Sequence, residues 1–293
     1  MVSAISLTYH IDSNKEKEYT CKKTTRFCFA VLALSAAVCT QAARPVEFTV
    51  GTEYYKENYR EYKDGERLMR QKGNLWSLTG GVKYRFNDRH AAKLEGRYSR
   101  GKSDYTGRYQ DGRGNVTEYG TATFNGSPRR VYDVRALYEY THPINDRVSL
   151  TAGAGVGHRV LKDLGSRVVA NNYDRKNRTT YAQINAGVNI ALPAGFEVSP
   201  NIAYNHSLRS RQHSYRAHQD IEMKQPSGHG IEVEVPVSKK FANESKISVV
   251  PFYRGWKVKK SDTALVYLPD GIYGSTEPKN YTHEAGVKVR YTF

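Results

Sequence analysis

The last fourteen residues, Asn280-Tyr-Thr-His-Glu-Ala-Gly-Val-Lys-Val-Arg-Tyr-Thr-Phe293, constrain this chain more than any other stretch. In an extended strand, successive side chains point to opposite faces. Tyr281, Ala285, Val287, Val289, Tyr291 and Phe293 therefore share one face, and Thr282, Glu284, Gly286, Lys288, Arg290 and Thr292 share the other. An apolar face with aromatics near both ends, a polar opposite face and a terminal Phe predict the closing strand of a transmembrane β-barrel.

The same alternation recurs from residue 46 onward in stretches of about 12 to 15 residues. Val46–Tyr59, Asn74–Phe86, Ala91–Lys102 and Arg129–Thr141 are followed by strands centred on Ala154, Ala186, Ile202, Val233 and Phe252, and then by the closing one. Short polar turns (Asn87–His90, His142–Asp146, Pro193–Gly195, Phe241–Ser245) alternate with long loops (Arg60–Gly73, Ser103–Pro128, Leu161–Arg178, Leu208–Ser227, Lys259–Lys279). This predicts an all-β, antiparallel up-and-down barrel of about ten strands, closed because an open sheet edge cannot face hydrocarbon. Soluble sandwiches use strands nearer five or six residues. Mean hydropathy is −0.69, and no apolar run reaches the roughly 18 to 20 residues of a transmembrane helix. The ninth strand mixes two apolar faces, Val250, Phe252 and Trp256 against Ile247, Val249 and Tyr253, which a β-bulge would explain.

The amino terminus reads as an address. Phe27–Cys39 is a short apolar core preceded by Lys22, Lys23 and Arg26 and followed by Thr40-Gln-Ala42, which predicts a secretory signal peptide over 1–42 and a barrel over 43–293. The polar prefix before it suggests a start codon assigned too early. All three cysteines lie in the expected leader, so the mature chain has no disulfide or thiolate chemistry. The whole chain carries 45 Lys and Arg against 29 Asp and Glu; the leader takes five and three of these, leaving about +14. In an exported protein the polyanions within reach are lipopolysaccharide and acidic polysaccharides, and not nucleic acid.

The polar strand faces assign an interior network: Lys83, Arg85, Lys93, Glu95, Arg97, Asp133, Arg135, Glu139, Glu284, Lys288 and Arg290. A ten-strand lumen is only slightly wider than an eight-strand one, which side chains fill. Balanced charges of both signs in it predict ion pairs and a plugged interior rather than a pore. The surplus cations are then expected in the loops, with Arg108, Arg113, Arg167, Arg175, Arg209, Arg211 and Arg216 as candidate anion ligands, because guanidinium suits bidentate phosphate, sulfate or carboxylate recognition.

Catalytic patterns are weak. His218 and Asp220 in the fourth loop could face Asp104 and Asp111 across the mouth, as in omptin-like outer-membrane proteases. Omptins, however, place an acid two residues before the His, whereas His218-Gln-Asp220 has the reverse order, and no Asp-x-Asp accompanies it. No metal or nucleotide motif occurs, so neither metal nor cofactor is expected.

Tyr54-Tyr-Lys-Glu-Asn-Tyr59 with Leu68-Met69, Gly96-Arg-Tyr-Ser-Arg-Gly101, Gly153-Ala-Gly-Val-Gly-His-Arg159, Trp256-Lys-Val-Lys-Lys-Ser261 and Glu277-Pro-Lys-Asn280 resemble a bacterial outer-membrane β-barrel protein family. The resemblance spans the mature chain and implies a fold and a location in the outer membrane, with no catalytic residues to carry over. The expected role is non-enzymatic surface binding or envelope architecture, through basic loops on anionic glycan or lipopolysaccharide. A narrow anion channel and an omptin-like protease are the alternatives. Expected partners are outer-membrane lipid, lipopolysaccharide and the barrel-assembly machinery, which would read the strand ending at Phe293; the barrel is expected to be a monomer.

Overall fold

The computed structural model describes residues 45–109, 117–170, 172–215, 219–269 and 271–293. The expected leader (1–42), and Asp111, Arg113, Arg216 and His218, lie outside the described residues. The strands are β1 (Val46–Lys63), β2 (Glu66–Arg85), β3 (His90–Gly107), β4 (Ala122–Pro143), β5 (Val148–Leu164), β6 (Asp174–Ala191), β7 (Phe196–Val198), β8 (Asn201–Tyr215), β9 (Ile221–Gln225), β10 (Gly228–Glu234), β11 (Val237–Lys240), β12 (Lys246–Val258), β13 (Ala264–Leu268), β14 (Gly271–Ser275) and β15 (Lys279–Thr292).

β7 and β8 form one stave of the barrel, interrupted at Ser199-Pro200; β9, β10 and β11 form another, interrupted at Pro226-Ser227 and Val235-Pro236. Proline cannot donate to a ladder, so the breaks fall where the sequence removes a donor. β15 pairs antiparallel with both β1 and β12 and closes ten staves into a barrel. β13 and β14 form a separate hairpin inside the last long connection.

The tight turns are built by asparagine. Asn87 Oδ1 accepts from the amides of Arg89 and His90, and Asn145 Oδ1 from those of Arg147 and Val148, each at 2.9 Å. The repeated Asn-Asp-Arg tripeptide makes the same side-chain-to-backbone turn twice.

The structure departs from the sequence pattern in two places. First, the staves run far past the apolar band: β4 has 22 residues, most of the expected loops Arg60–Gly73 and Leu208–Ser227 is strand, and so is half of Leu161–Arg178. β1 continues to a two-residue turn at Asp64-Gly65, where φ is 51° and 86°, as a tight hairpin requires. Apolar alternation stops where lipid stops, whereas the hydrogen-bond ladder continues into water. Second, β12 has no bulge; its registers with β10, β11 and β15 are unbroken. Val250, Phe252 and Trp256 point inward and are buried, and Phe252 clusters with Tyr55, Leu75, Val131 and Leu161. The lumen therefore contains an apolar layer as well as charge.

Candidate functional site: the filled lumen and the basic outer wall

Inside the barrel, Glu284 of β15 accepts from Arg97 (2.9 Å), Arg159 (2.9 Å) and Arg254 (3.0 Å), which project from β3, β5 and β12. Arg254 also binds Glu53, and Lys288 lies between Glu53 (3.4 Å) and Glu234 (2.7 Å). Arg135 joins Glu95 (2.6 Å) to Glu232 (2.9 Å), while Lys83 and Lys93 share Glu139. Asp133 accepts the Tyr181 hydroxyl (2.9 Å), Arg85 pairs with Glu47, and Arg290 faces inward opposite Gly51. Burial makes an unpaired charge costly, and this geometry gives each of these carboxylates at least one donor.

A second polar layer lies above the apolar cluster. Arg129 pairs with Glu57 and donates to Gln71 (3.0 Å); Arg175 pairs with Glu61 and with Asp163 (3.0 Å), and Ser127 and Gln71 also donate to Asp163. Arg175 is thus not the exposed loop ligand that the basic run Arg175-Lys-Asn-Arg178 suggests. On β6 the odd residues of that run point inward and the even ones outward, so Arg175 is buried while Lys176 and Arg178 face out. Glu57, Glu61, Asp163 and Arg254 were not among the expected interior residues. Their signal was the inward parity of odd positions continuing along β1 past Tyr55, and of even positions along β12. Between the layers, a cavity of about 20 Å³ lined by Tyr59, Arg159 and Trp256 has room for about one water.

The last long connection is tied into this layer. Ser261 and Glu277 exchange two hydrogen bonds (3.0 and 2.8 Å) that close the base of the connection carrying β13 and β14. The Glu277 side chain enters the barrel, where the Tyr59 hydroxyl lies 2.9 Å from Glu61 and 3.2 Å from Glu277. Burial first, and the Glu61 carboxyl second, push Glu277 up to about 8 against the pull of Arg175. Val266 of the hairpin packs on Ile221 and Met223 of the β9 region.

The outer wall shows apolar side chains bounded by two aromatic belts. Phe48, Tyr84, Phe86, Tyr138, Tyr291 and Phe293 mark the short-turn end, with Phe48 stacked on Phe293. Tyr54, Trp76, Tyr98, Tyr132, Tyr204 and Tyr253 mark the other, joined by His229 and His283 hydrogen-bonded to Tyr204 (2.5 Å) and Tyr253 (2.6 Å). Above that belt the outward positions turn basic: Lys56, Arg70, Lys72, Arg100, Lys102, Arg130, Lys162, Lys176, Arg178, Lys224 and Lys257. Arg209 and Arg211 join them through one irregularity. Thr180 pairs with Arg209 but Tyr181 with Ser207, so Leu208 is an extra residue that reverses the parity of β8 and turns both arginines outward. Arg167 is exposed in the short helix Gly165–Arg167, and Arg108 pairs with Glu66 at 2.9 Å. The basic surface is thus mostly strand wall and not loop.

Asp104 is exposed on the outer face of β3, where it accepts the Gly126 amide (3.0 Å). Asp220, just before β9, lies 3.5 Å from His213. β3 and the β9 stave are five staves apart in either direction round the wall, so the structure does not bring these two acids together.

The family model described as outer membrane protein beta-barrel domain matches residues 27–238. No curated protein matches by sequence. Among solved structures, the outer membrane protease OmpT of Escherichia coli is similar over 87% of this chain and 99% of its own, with TM-score 0.58 and 12% identity. The translocator domain of the autotransporter NalP from Neisseria meningitidis aligns at TM-score 0.41 and 10% identity, covering 84% and 88% of the two chains. OprG of Pseudomonas aeruginosa aligns at TM-score 0.33 and 12% identity, covering 83% and 95%. At 12% identity the likeness to OmpT concerns the fold alone.

Proposed function

The chain belongs to the outer-membrane β-barrel domain family, and we propose that in this member the lumen is a sealed structural core and the basic outer wall is the working surface. The protein lies in the bacterial outer membrane, where short turns face the periplasm and the long-loop end faces outward. At that outer end it binds anionic saccharide or lipopolysaccharide.

One observation carries this reading. Buried cations in the lumen are paired with carboxylates, whereas cations above the outer aromatic belt outnumber the exposed acids described at that end, Asp64, Glu66, Asp104, Glu118, Asp220, Glu222 and Asp262. A surplus of that sign at the level of lipid headgroups draws anions and is screened by salt.

Binding of the detergent-folded protein to an array of acidic glycans and lipopolysaccharides, at low and high salt, tests the proposal. Signals that rise at low salt are expected; flat signals at low salt overturn it. In planar bilayers no stable unitary conductance is expected, and a steady anion-selective conductance would favour a channel.

A further inference from the structure

Strand register turns basic residues that are far apart in sequence into one row. Arg100 of β3 lies directly opposite Arg130 of β4, Arg130 opposite Lys162 of β5, and Lys162 opposite Lys176 of β6. All four point outward. Like charges directly opposite one another weaken a sheet. Here three such pairs follow in succession across four staves, over roughly 15 Å at 4.7–4.9 Å per strand. Among the described residues no salt bridge reaches any of the four. The next outward cations of β6 and β8 contrast with them, because Arg178 and Arg211 share Glu222. Among the described residues the fold spends no acid on the row, which leaves it open to an anion from outside the chain.

The surroundings narrow what that is. Directly below Arg100 and Arg130, Tyr98 and Tyr132 are opposed with ring centroids 5.0 Å apart, and Lys162 Nζ sits 5.5 Å from the Tyr132 ring. Further down the same staves, small outward residues (Ala92, Ala136 and Ala154) leave a recess of about 520 Å³ on the lipid-facing wall, walled by Leu94 and Val156. Leu94 is six residues below Arg100, roughly 20 Å along the strand, within reach of a long acyl chain. A soluble polyanion would need the cations only; the tyrosine pair and the recess suit an amphiphile.

We propose that the row Arg100–Arg130–Lys162–Lys176 is a binding site for an outer-leaflet glycolipid that carries two phosphates. The arginine pair takes one phosphate through its guanidinium forks and the lysine pair the other. The sugars rest on Tyr98 and Tyr132, and the acyl chains run down β3 to β5 into the recess. This rests on the reading of the outer wall as an anion-binding surface, and narrows it to four of the ten staves and one ligand class.

The test uses the full barrel in neutral-lipid nanodiscs. The probes are bisphosphorylated lipid A, the same lipid after phosphatase treatment, and dextran sulfate as a soluble polyanion. The double variant Arg130→Ala/Lys162→Ala is compared with Lys257→Ala/Lys279→Ala on the opposite wall. All four side chains face outward, so both variants are expected to fold. Lipid A affinity is expected to fall about tenfold in the first variant and to stay within about twofold in the second. Phosphatase treatment is expected to cost as much as the first variant. Equal losses in both variants, or undiminished binding of the dephosphorylated lipid, overturn the site. If the wild type binds dextran sulfate while either of those results holds, the site falls and the wider reading stands. Binding of neither lipid A nor dextran sulfate removes both.

Discussion

Arg254 and Arg130 are the same residue type on the same barrel, and they live under opposite rules. Arg254 faces the lumen, where it binds Glu53 and Glu284 and lies 4.0 Å from the Phe252 ring. Arg130 faces out, with Arg100 and Lys162 as its cross-strand neighbours. Inside, desolvation makes an uncompensated charge cost several kcal/mol, so the buried guanidinium groups are met by carboxylates, some of them shared. Outside, water and counterions screen the charge, and pairing is optional. The lumen thus keeps the acids its cations need, and spare cations are left where ligands can reach them.

The largest effect is expected at Glu284. Glu284→Ala leaves Arg97, Arg159 and Arg254 short of an acceptor and is expected to cost about 3–5 kcal/mol, read by urea unfolding in lipid vesicles. A midpoint equal to wild type would mean that the lumen tolerates loose charge as the outer wall does. Glu277, outside the membrane-spanning strands, separates the two environments by pH. Its folded pKa of about 8 lies above the ordinary 4.5, so the folded barrel holds a proton that the unfolded chain releases. Stability should be full at low pH and fall as pH rises from about 4.5 to 8, by at most about 1.4 kcal/mol per unit. Proteolysis of the 259–278 connection should accordingly quicken between pH 5 and 8, and Glu277→Gln should flatten that dependence.

Packing provides a smaller effect. A Cβ on Gly157 would lie 2.3 Å from the Tyr181 ring, which crosses the lumen wall there to reach Asp133. Gly157→Val is expected to cost about 1–3 kcal/mol by overpacking, measured in the same unfolding assay; no loss would mean that Tyr181 is free to move. The smallest effect belongs to the outer wall. Arg130→Ala removes like-charge repulsion and should leave stability unchanged or raise it by up to about 0.5 kcal/mol. A loss above about 1 kcal/mol would show that Arg130 is structurally tied in after all.

The ten staves and their apolar faces were legible in the sequence, because the lipid boundary writes period-two hydrophobicity directly into each strand. Stave length was not, since above the boundary β1 alternates Glu57, Tyr59 and Glu61 inside with Asn58 and Arg60 outside, and both sets look like loop. Asp64-Gly65 was a usable hairpin signal for the shorter first connection. The facing of β12 was misleading because Phe252 and Trp256 are apolar on the lumen side. Arg209 and Arg211 needed the single extra residue Leu208 to be placed, and the row from Arg100 to Lys176 needed three registers at once. No periodicity within one segment holds that information.

The seam between β1 and β15 has a bearing on how the barrel is made. Thr49 and Thr292, hydrogen-bonded across it, are 243 residues apart, so this pairing carries nearly the greatest loop-closure separation the chain offers. Until β15 docks, Arg97, Arg159 and Arg254 lack Glu284, and Glu234 lacks Lys288. The final strand thus supplies edge pairing and charge neutralisation in one event. Assembly intermediates short of it should be electrostatically incomplete, and zipping of the seam should be the step that commits the chain to the membrane.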